Sequence, residues 1–491
     1  MSGARAFSFL NEAGTLTRDD WEETTRSKLW LYNLHYFDDL NAADAPARDA
    51  WHIALMDDWI THHSVGGTGW EPYPCSLRIV NWIKRHLDGR PLSVSQRDSL
   101  AAQARWLTQR LEWHLLGNHL FVNAKALVFA GLFFDGPESE RWLAKGLAIL
   151  AEELHEQVLP DGGNFERSPM YHAIFLEDVL DMLNAASAFP GRVPADTVDG
   201  WRRTASRMTA WLRAVCHPDG EISLFNDAAI GIAPPPQTLL DYAARVGVDA
   251  PVLAWPRPAG PVLTALPDSG YLRVDLPVAV ALLDVAPIGP DYLPGHAHAD
   301  TLSFELSVFG ERAIVNGGTS RYGLGPERLR ERGTAAHSTV IIDGQDSSEV
   351  WGGFRVARRA RPVGLCMSVG RDEAVVACAH DGYRRLPGRP EHHREWHWRT
   401  AGLTVSDRVT GRFCHAQARY HFHPGVRVED DGEHALRLTL PSGGQLRLRT
   451  TQGALRLESS SYASKFGQVV DTTCAVVELR DAQARVDFDW T

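Results

Sequence analysis

The spacing of apolar residues divides the chain into two halves with different periods. From about residue 51 to residue 245, apolar side chains recur every three or four positions, as at Met56, Trp59 and Ile60. This spacing predicts amphipathic helices separated by Pro, Gly and Asp turns. The later predicted helices cover 98–116, 119–134, 139–158, 170–188, 197–216 and 237–246. Because their spacing varies too much for a fixed repeat, we expect antiparallel helical hairpins, packed side by side or closed into a ring.

After a proline-rich segment at 251–267 the period changes to two, which predicts short strands. The predicted strands cover 271–275, 278–285, 301–308, 313–316, 338–343, 373–378, 403–407, 435–440 and 445–449. Many short strands divided by Gly and Asp turns are typical of stacked antiparallel sheets. We therefore predict a helical domain over 1–250 and an antiparallel β-sandwich domain over 251–491.

Composition excludes several classes of protein. The 491 residues carry 50 Lys and Arg against 61 Asp and Glu, a net charge of -11, which argues against nucleic-acid binding. No apolar run is long enough for a membrane span, and the N-terminus lacks the pattern of a signal peptide. We expect a cytoplasmic protein from the chain as written, or a periplasmic or secreted one if a leader has been removed. The six cysteines lack paired spacing, so we expect mostly buried thiols. Nothing in the pattern indicates an oligomeric state.

Four clusters of polar residues interrupt or border the apolar pattern. They are Asn118-His119 before an apolar helix, the 163–172 segment with Glu166, Tyr171 and His172, the His296-Ala-His298-Ala-Asp300 segment, and His337 before a buried strand. Extended backbone through the third cluster would turn its two histidines and its aspartate to one face. Taken singly, Asn118 is also typical of a helix cap, Tyr171 of a packing residue and His337 of a histidine bonded to a backbone carbonyl.

Taken together, the same side chains form the set that a β-elimination requires. Cleaving a uronic-acid polysaccharide in this way removes a proton next to a carboxylate, whose charge must first be neutralised. Asn118 and His119 are of the right type to neutralise it, and Tyr171 and His296 are of the right type to transfer protons. A glycoside hydrolase would instead need two flanking carboxylates; Glu166 and another acidic residue, Asp300, are available, but their spacing does not favour this function.

In this order and spacing the clusters resemble the heparinase II/III-like polysaccharide lyases. The resembling segments are 29–38, 72–82, Gly117-Asn-His119, Ser168-Pro-Met-Tyr-His172, Gly295-His-Ala-His-Ala-Asp300 and Ala336-His337. The resemblance implies an incomplete (α/α) toroid followed by an antiparallel β-sandwich, a substrate cleft between the domains, and no organic cofactor. It assigns carboxylate neutralisation to Asn118, assisted by His119. It makes Tyr171 the acid, with the base role also open to it, and His296 the second acid/base group.

The resemblance further implies a structural Zn²⁺ site near the cleft. Its ligands would fall on His298, Asn316 and His337, where Asn316 stands in place of the expected Asp. The neutral amide oxygen of Asn binds zinc more weakly than a carboxylate does.

Other residues are candidates for binding an acidic polysaccharide or oligosaccharide. Glu166 and His172 belong to the second polar cluster, and the glycines of Trp351-Gly-Gly-Phe-Arg355 indicate an exposed loop. Trp351 would stack on a sugar ring, whereas Arg355 and Arg358 would donate paired hydrogen bonds to carboxylates or sulfates.

Two other functions stay open. The absence of an export signal favours a non-catalytic polysaccharide-binding or chain-length-controlling component of exopolysaccharide or capsule assembly, in which the four clusters would line a binding groove. A zinc hydrolase built on His298 and His337 is the weaker alternative, and it predicts loss of activity on chelation.

Overall fold

The computed structural model describes residues 1–17, 20–63 and 65–490. The chain forms two compact units. Unit 1 consists of Met1–Gln157 and Asp178–Arg202, and unit 2 consists of Val158–Glu177 and Arg203–Thr491. The predicted domain boundary at residue 250 stays a prediction.

Helices dominate the first half of the described residues, as predicted. They are α1 Lys28–Tyr36, α2 Asp49–His62, α3 Pro72–Leu87, α4 Val94–Thr108, α5 Gly117–Phe133, α6 Pro137–Gln157, α7 Pro169–Ala188, α8 Ala195–Ala214 and α9 Pro236–Arg245, with the short α10 Pro326–Arg332 in the second half. Before α1, strands β1 Ala6–Phe9 and β2 Glu12–Thr15 pair as a hairpin. No helix among the described residues combines the length and apolar character that crossing a membrane requires.

The predicted helix over 98–116 is wrong at its C-terminal end, because α4 stops at Thr108. Residues 109–116 form a loop. The backbone N–H of Glu112 in this loop donates to Oδ1 of Asn123 on α5 at 2.9 Å. A side chain thus satisfies a backbone donor that would otherwise need an intrahelical partner.

Helix α5 is buried on all sides and packs closely against α6. A Cβ atom added at Gly131 of α5 would lie 2.5 Å from the backbone nitrogen of Leu143. A Cβ added at Gly146 of α6 would lie 2.8 Å from the carbonyl oxygen of Ala124. Both glycines are therefore required for the close approach of the two helices.

Apart from β1 and β2, the strands of the described residues lie in the second half, also as predicted. They are β3 Val262–Leu266, β4 Tyr271–Asp275, β5 Ala279–Asp284, β6 Phe304–Val308, β7 Glu311–Val315, β8 Val340–Ile342, β9 Val350–Gly352, β10 Arg355–Val356, β11 Pro362–Val369, β12 Glu373–His380, β13 Glu391–Arg399, β14 Gly402–Thr410, β15 Ala416–Phe422, β16 Arg427–Asp430, β17 Ala435–Thr439, β18 Gln445–Gln452, β19 Ala454–Lys465, β20 Gln468–Glu478 and β21 Gln483–Trp490. One antiparallel sheet has the order β19-β20-β15-β7-β6-β5-β4-β3, with β8 also paired to β15. The other has the order β11-β12-β13-β14-β21-β18-β17-β16.

The two large sheets share one apolar core. Phe304 of the first sheet meets Trp396 of the second with ring centroids 6.3 Å apart. Tyr420 and Phe488 meet in the same way at 5.4 Å. Alternation of buried and exposed residues along strands such as β18 is the pattern expected of sheets with one face in such a core.

Four of the six cysteines, Cys75, Cys216, Cys378 and Cys474, are buried thiols, as expected for most of them, whereas Cys366 and Cys414 are exposed.

The predicted strand over 301–308 begins later than expected, at Phe304. The backbone N–H of Ser303 donates to the carbonyl of Asp300 at 2.8 Å, and Leu302 adopts a left-handed φ of 62°. Strand pairing begins only after this turn, so the histidine-rich segment before the turn is a loop and not part of the strand. The prediction of extended backbone there is wrong.

Candidate active site

The loop nevertheless brings its polar side chains together, around the Asn226-Asp227 pair of unit 2. Nδ1 of His296 lies 2.8 Å from Oδ2 of Asp227, and Nε2 of His298 lies 2.8 Å from Oδ1. Asp300 accepts a hydrogen bond from the backbone N–H of Asn226 at 3.1 Å. The three side chains therefore contact two adjacent residues although the backbone that carries them is irregular.

Asp227 is completely buried and paired with a cation. Both guanidinium nitrogens Nη1 and Nη2 of Arg328 donate to its two oxygens. Burial alone would raise the pKa of Asp227, but the charge of Arg328 and the hydrogen bonds from His296 and His298 outweigh burial and hold this pKa well below its usual value. Asp227 is thus a carboxylate at neutral pH, which fixes the proton of His296 on Nδ1 and leaves Nε2 as the free ring nitrogen.

Tyr171, in the first turn of α7, stacks on His296. The ring centroids are 4.0 Å apart and the planes are inclined by 33°. The Tyr171 hydroxyl lies 2.9 Å from the hydroxyl of Tyr322. Burial, followed by the neighbouring Tyr322, raises the pKa of Tyr171 well above its usual value, so its hydroxyl holds a proton at neutral pH.

Local sequence explains how Tyr171 is placed. Ser168 accepts a hydrogen bond from the backbone N–H of Tyr171 at 3.1 Å, as an N-cap does, just before Pro169 starts α7. The Ser168 hydroxyl also donates to the backbone carbonyl of Asp227. The start of this helix and the carboxylate that orients His296 are therefore joined directly.

The other two residues predicted in this segment occupy different environments. Glu166 is 4% exposed, and its Oε2 lies 3.8 Å from Nε2 of His296. His172 is fully buried against Trp211, accepts from the backbone N–H of Asn164 and meets the carbonyl of Met208 at 2.9 Å. Both nitrogens of His172 thus bind the surrounding fold, whereas Glu166 lies beside the free nitrogen of His296. The substrate-binding roles of both residues stay predictions.

The β9–β10 hairpin carries the predicted aromatic and cationic groups. Its turn residue Phe354 packs edge-on against His296, with centroids 6.0 Å apart. Trp351 is 64% exposed, and Arg355 is exposed on the paired strand. Arg358, just beyond the hairpin, is bound by Glu349, and its guanidinium lowers the pKa of that carboxyl to about 2. Trp351 and Arg355 are thus exposed on the hairpin whose turn covers His296, while Arg358 already has an acidic partner.

In unit 1, Asn118 and His119 lie in the first turn of α5 beside one tyrosine. Nδ2 of Asn118 donates to the Tyr73 hydroxyl at 3.2 Å, while Oδ1 of Asn118 is buried without a hydrogen-bond partner. Rotation of the amide by half a turn would let Tyr73 donate to Oδ1 and would place the NH₂ group at the unsatisfied position. His119 packs against the Tyr73 ring with centroids 4.6 Å apart.

The predicted zinc ligands all have protein partners in unit 2. Nδ1 of His298 lies 3.3 Å from Nε2 of His337, a separation close to that of two nitrogen ligands on one tetrahedral zinc ion with bonds of about 2.0 Å. The Asn316 side chain instead accepts from the backbone N–H of Ser338 at 3.3 Å and donates to Ser303. The two histidines therefore fit a metal better than Asn316 does, and the zinc site stays a prediction.

A second set of metal-ligating residue types lies in unit 1, formed by Glu22, His35 and His63. Trp59 donates its indole N–H to Nδ1 of His35 at 3.2 Å, and Nε2 of His35 faces the carbonyl of Trp21 at 3.0 Å. This arrangement places the ring proton on Nε2, so His35 has no lone pair left for a cation.

Sequence reasoning missed two members of the unit 2 site. Asp227 carries a usable signal, since a polar Asn-Asp pair interrupts the apolar run Leu224-Phe-Asn-Asp-Ala-Ala. Arg328 carries none, because it is one of three arginines in the polar helix α10. Tyr322, the hydrogen-bond partner of Tyr171, lies 151 positions away in the sequence, so no local pattern pairs the two.

Comparison with known protein families identifies the family of this chain. Models of the heparinase II/III N-terminus and of the heparinase II/III-like C-terminal domain match residues 94–234 and 258–491. The chain therefore belongs to the heparinase II/III-like family. The heparin-sulfate lyase of Bacteroides stercoris is 32% identical over 259 residues, which cover 47% of this chain and 36% of that protein. The matched part is thus only about a third of that relative.

Solved structures show the same architecture. A crystal structure of heparinase III matches with a TM-score of 0.77 and 18% identity over 97% of this chain and 79% of that chain. The chondroitin AC lyase of Streptomyces coelicolor A3, in complex with chondroitin sulphate, matches with a TM-score of 0.55 and 12% identity over 94% and 75%. The predicted fold class, an incomplete (α/α) toroid followed by an antiparallel β-sandwich, is confirmed.

Proposed function

We propose that this protein is a polysaccharide lyase that cleaves a uronic-acid-containing acidic polysaccharide by β-elimination. The observation that carries the proposal is the stack of Tyr171 on His296, with His296 fixed by the buried carboxylate Asp227. The pair offers a protonated phenol and a free imidazole nitrogen side by side. These are the acid and the base that elimination requires.

Each group has one role in the proposed reaction. His296 Nε2 removes the proton from the carbon next to the uronate carboxylate, and the resulting imidazolium is stabilised by Asp227. Tyr171 donates its hydroxyl proton to the departing glycosidic oxygen, so the C–O bond breaks as the new C=C bond forms. The phenol of Tyr171 is protonated at neutral pH, so it carries the proton that the leaving oxygen takes.

Asn118 and His119 are assigned the neutralisation of the uronate carboxylate. A donor on that carboxylate stabilises the charge that develops as the adjacent carbon loses its proton. The unsatisfied position of the Asn118 amide supports this assignment, because it is a buried polar atom available for an additional hydrogen bond.

Incubation with heparan sulfate, chondroitin sulfate, hyaluronan, alginate and glucuronan tests the proposal. We expect at least one polymer to yield oligosaccharides with an unsaturated uronyl end, seen as new ultraviolet absorption and as masses without added water. Products heavier by one water would indicate a hydrolase. Binding of these polymers without any product would instead favour the non-catalytic role in exopolysaccharide or capsule assembly.

A further inference from the structure

A buried glutamate, Glu112, contacts His119 from the loop between α4 and α5. Oε1 of Glu112 lies 3.1 Å from Nδ1 of His119, and the glutamate is 5% exposed. His119 itself is half-buried, with 36% of its side chain exposed. Two titratable groups in the described part of unit 1 contact the His119 ring, namely Glu112 from the loop and Tyr73 from α3.

Asn123, one turn along α5 from His119, holds the glutamate in a single orientation. Its Oδ1 accepts from the backbone N–H of Glu112 at 2.9 Å, so its Nδ2 must face the Glu112 side chain, and it donates to Oε2 at 3.1 Å. Asn123 is completely buried, and its Nδ2 is also bonded to Ser76 of α3 at 3.1 Å. Oε2 of Glu112 therefore binds Asn123, and Oε1 of Glu112 faces His119.

We propose that Glu112 is a positioning residue that fixes the proton of His119 on Nδ1 and makes Nε2 the atom that meets the substrate. A carboxylate oxygen can only accept, so the ring nitrogen facing it must carry hydrogen. When a uronate carboxylate approaches Nε2, the ring lies between two anions and is held as an imidazolium that donates to both. The catalytic consequence rests on the proposed lyase function, whereas the position of the proton does not.

The variant Glu112→Gln reverses this hydrogen-bond pattern without changing the size of the side chain. Asn123 still presents Nδ2, so the glutamine oxygen must face Asn123 and its NH₂ group must face His119. Nδ1 of His119 then becomes an acceptor, and the ring proton moves to Nε2. Glu153→Gln is the matched control, because Glu153 of α6 is also buried and also accepts from an amide, that of Gln157 at 2.6 Å.

Two measurements test the proposal on the full chain. Nitrogen-15 NMR of histidine-labelled, ligand-free protein, with His119 identified by loss of its signal in His119→Gln, should show Nδ1 protonated in the wild type and Nε2 protonated in Glu112→Gln. Kinetics on the polymer that the wild type cleaves should show about a tenfold lower kcat for Glu112→Gln and a loss of activity at lower pH than in the wild type. As a check on folding, thermal unfolding of Glu112→Gln should give the melting temperature of the wild type. Glu153→Gln should keep the wild-type kcat and pH profile.

The outcomes separate this inference from the proposed function. An identical His119 tautomer in the wild type and Glu112→Gln would overturn the proposal at its source. Unchanged kinetics in Glu112→Gln, with an active wild type, would overturn the positioning role and leave the lyase function intact. A wild type inactive on all uronate polymers would refute the lyase function and the catalytic consequence together, while the tautomers would still decide whether Glu112 orients His119.

Discussion

At the scale of single residues, the site of unit 2 is organised by Asp227. Two imidazoles and one guanidinium converge on its two oxygens, although they come from a loop and from α10. A buried carboxylate with so many donors is stable only as an anion, and it therefore orients His296 at every pH at which the enzyme would work.

Asp227→Asn should lower both stability and activity. It leaves the charge of Arg328 buried without an anion, which costs about 3 kcal/mol in free energy of unfolding at pH 7, and it removes the acceptor that stabilises protonated His296. The pKa of Asp227 is lower in the folded protein than in the unfolded chain, where it is about 3.9. The ionised carboxylate therefore stabilises the folded state fully above about pH 3.9, and this contribution is lost as pH falls through the pKa of the folded protein. The difference between variant and wild type should therefore shrink in acid, as measured by denaturant unfolding at pH 7 and pH 3.

A matched control for this substitution is Asp407→Asn, since Asp407 is also buried and paired with an arginine, Arg394. It should lose similar stability but keep the wild-type kcat. A kcat loss in Asp407→Asn equal to that in Asp227→Asn would show that general destabilisation explains both.

Tyr171→Phe should lower kcat by about 10²- to 10⁴-fold, because it removes the proposed general acid, and it should leave KM nearly unchanged. Steady-state kinetics on the cleaved polymer provide the measurement. Tyr383→Phe is the control, since that buried hydroxyl donates to the carbonyl of Val340 within unit 2. It should lower stability by about 1 kcal/mol and leave kcat unchanged. Comparable activity of Tyr171→Phe and wild type would remove Tyr171 from the mechanism.

At the scale of elements, the α5–α6 pair supports the turn that carries Asn118 and His119. Gly131→Ala should destabilise the protein by at least about 1 kcal/mol, although alanine normally stabilises a helix interior relative to glycine. The added Cβ would meet the rigid backbone of Leu143 at 2.5 Å, so the two helices must separate. Thermal unfolding measures the effect, and an increase in melting temperature would show that the helices can move apart without cost.

Substitutions in the β9–β10 hairpin should change the affinity for substrate without changing the stability of the fold. Trp351→Ala and Arg355→Ala should raise KM several-fold without changing the melting temperature, because both side chains are exposed. Arg427→Ala on β16 removes another exposed arginine and should leave KM unchanged. KM values equal to that of the wild type in Trp351→Ala and Arg355→Ala, as in Arg427→Ala, would exclude the hairpin from substrate binding.

At the scale of the whole molecule, buried carboxylates set the response to acid. Burial raises the pKa of Asp407, but Arg394 outweighs burial and lowers it to about 2, and the charge of Lys125 outweighs burial in the same way at Asp181 in unit 1. Each stabilises the fold above the unfolded pKa of about 3.9, and this contribution is lost as pH falls towards the folded value. Burial raises the pKa of Asp284, which offsets part of the loss.

Buried histidines such as His172 and His421, whose pKa values burial lowers, add a loss of stability that begins below their unfolded pKa of about 6.5. We therefore expect a melting temperature that is nearly constant from pH 8 to about pH 7, declines below about pH 6.5 and falls more steeply below about pH 4. Calorimetric scans across this range provide the measurement. The slope in acid should be smaller for Asp407→Asn than for the wild type. A melting temperature that stays flat down to pH 3 would contradict the assignment of these carboxylates.

The sequence by itself determined the change from a mainly helical first half to a mainly stranded second half, because the apolar periods of helices and strands differ and depend only on local geometry. It also pointed to the residues that we propose for catalysis, since an amide, a phenol and an imidazole interrupt or border apolar runs at Asn118, Tyr171 and His296. Element ends were less well determined, as the early end of α4 and the late start of β6 show. A side chain of the next helix, Asn123, decides the first of these ends, and the turn just before the strand decides the second.

Only the tertiary structure decided which groups act on which. Arg328 reaches Asp227 across 101 positions of sequence, and Tyr322 reaches Tyr171 across 151, so no local pattern could pair them. The loop that carries His296 and His298 presents both rings to one carboxylate through irregular backbone, which a period of two does not describe. Contacts between residues so far apart in the sequence depend on tertiary packing. The same packing places Asp227 beside His296 and so determines which ring nitrogen of His296 carries the proton.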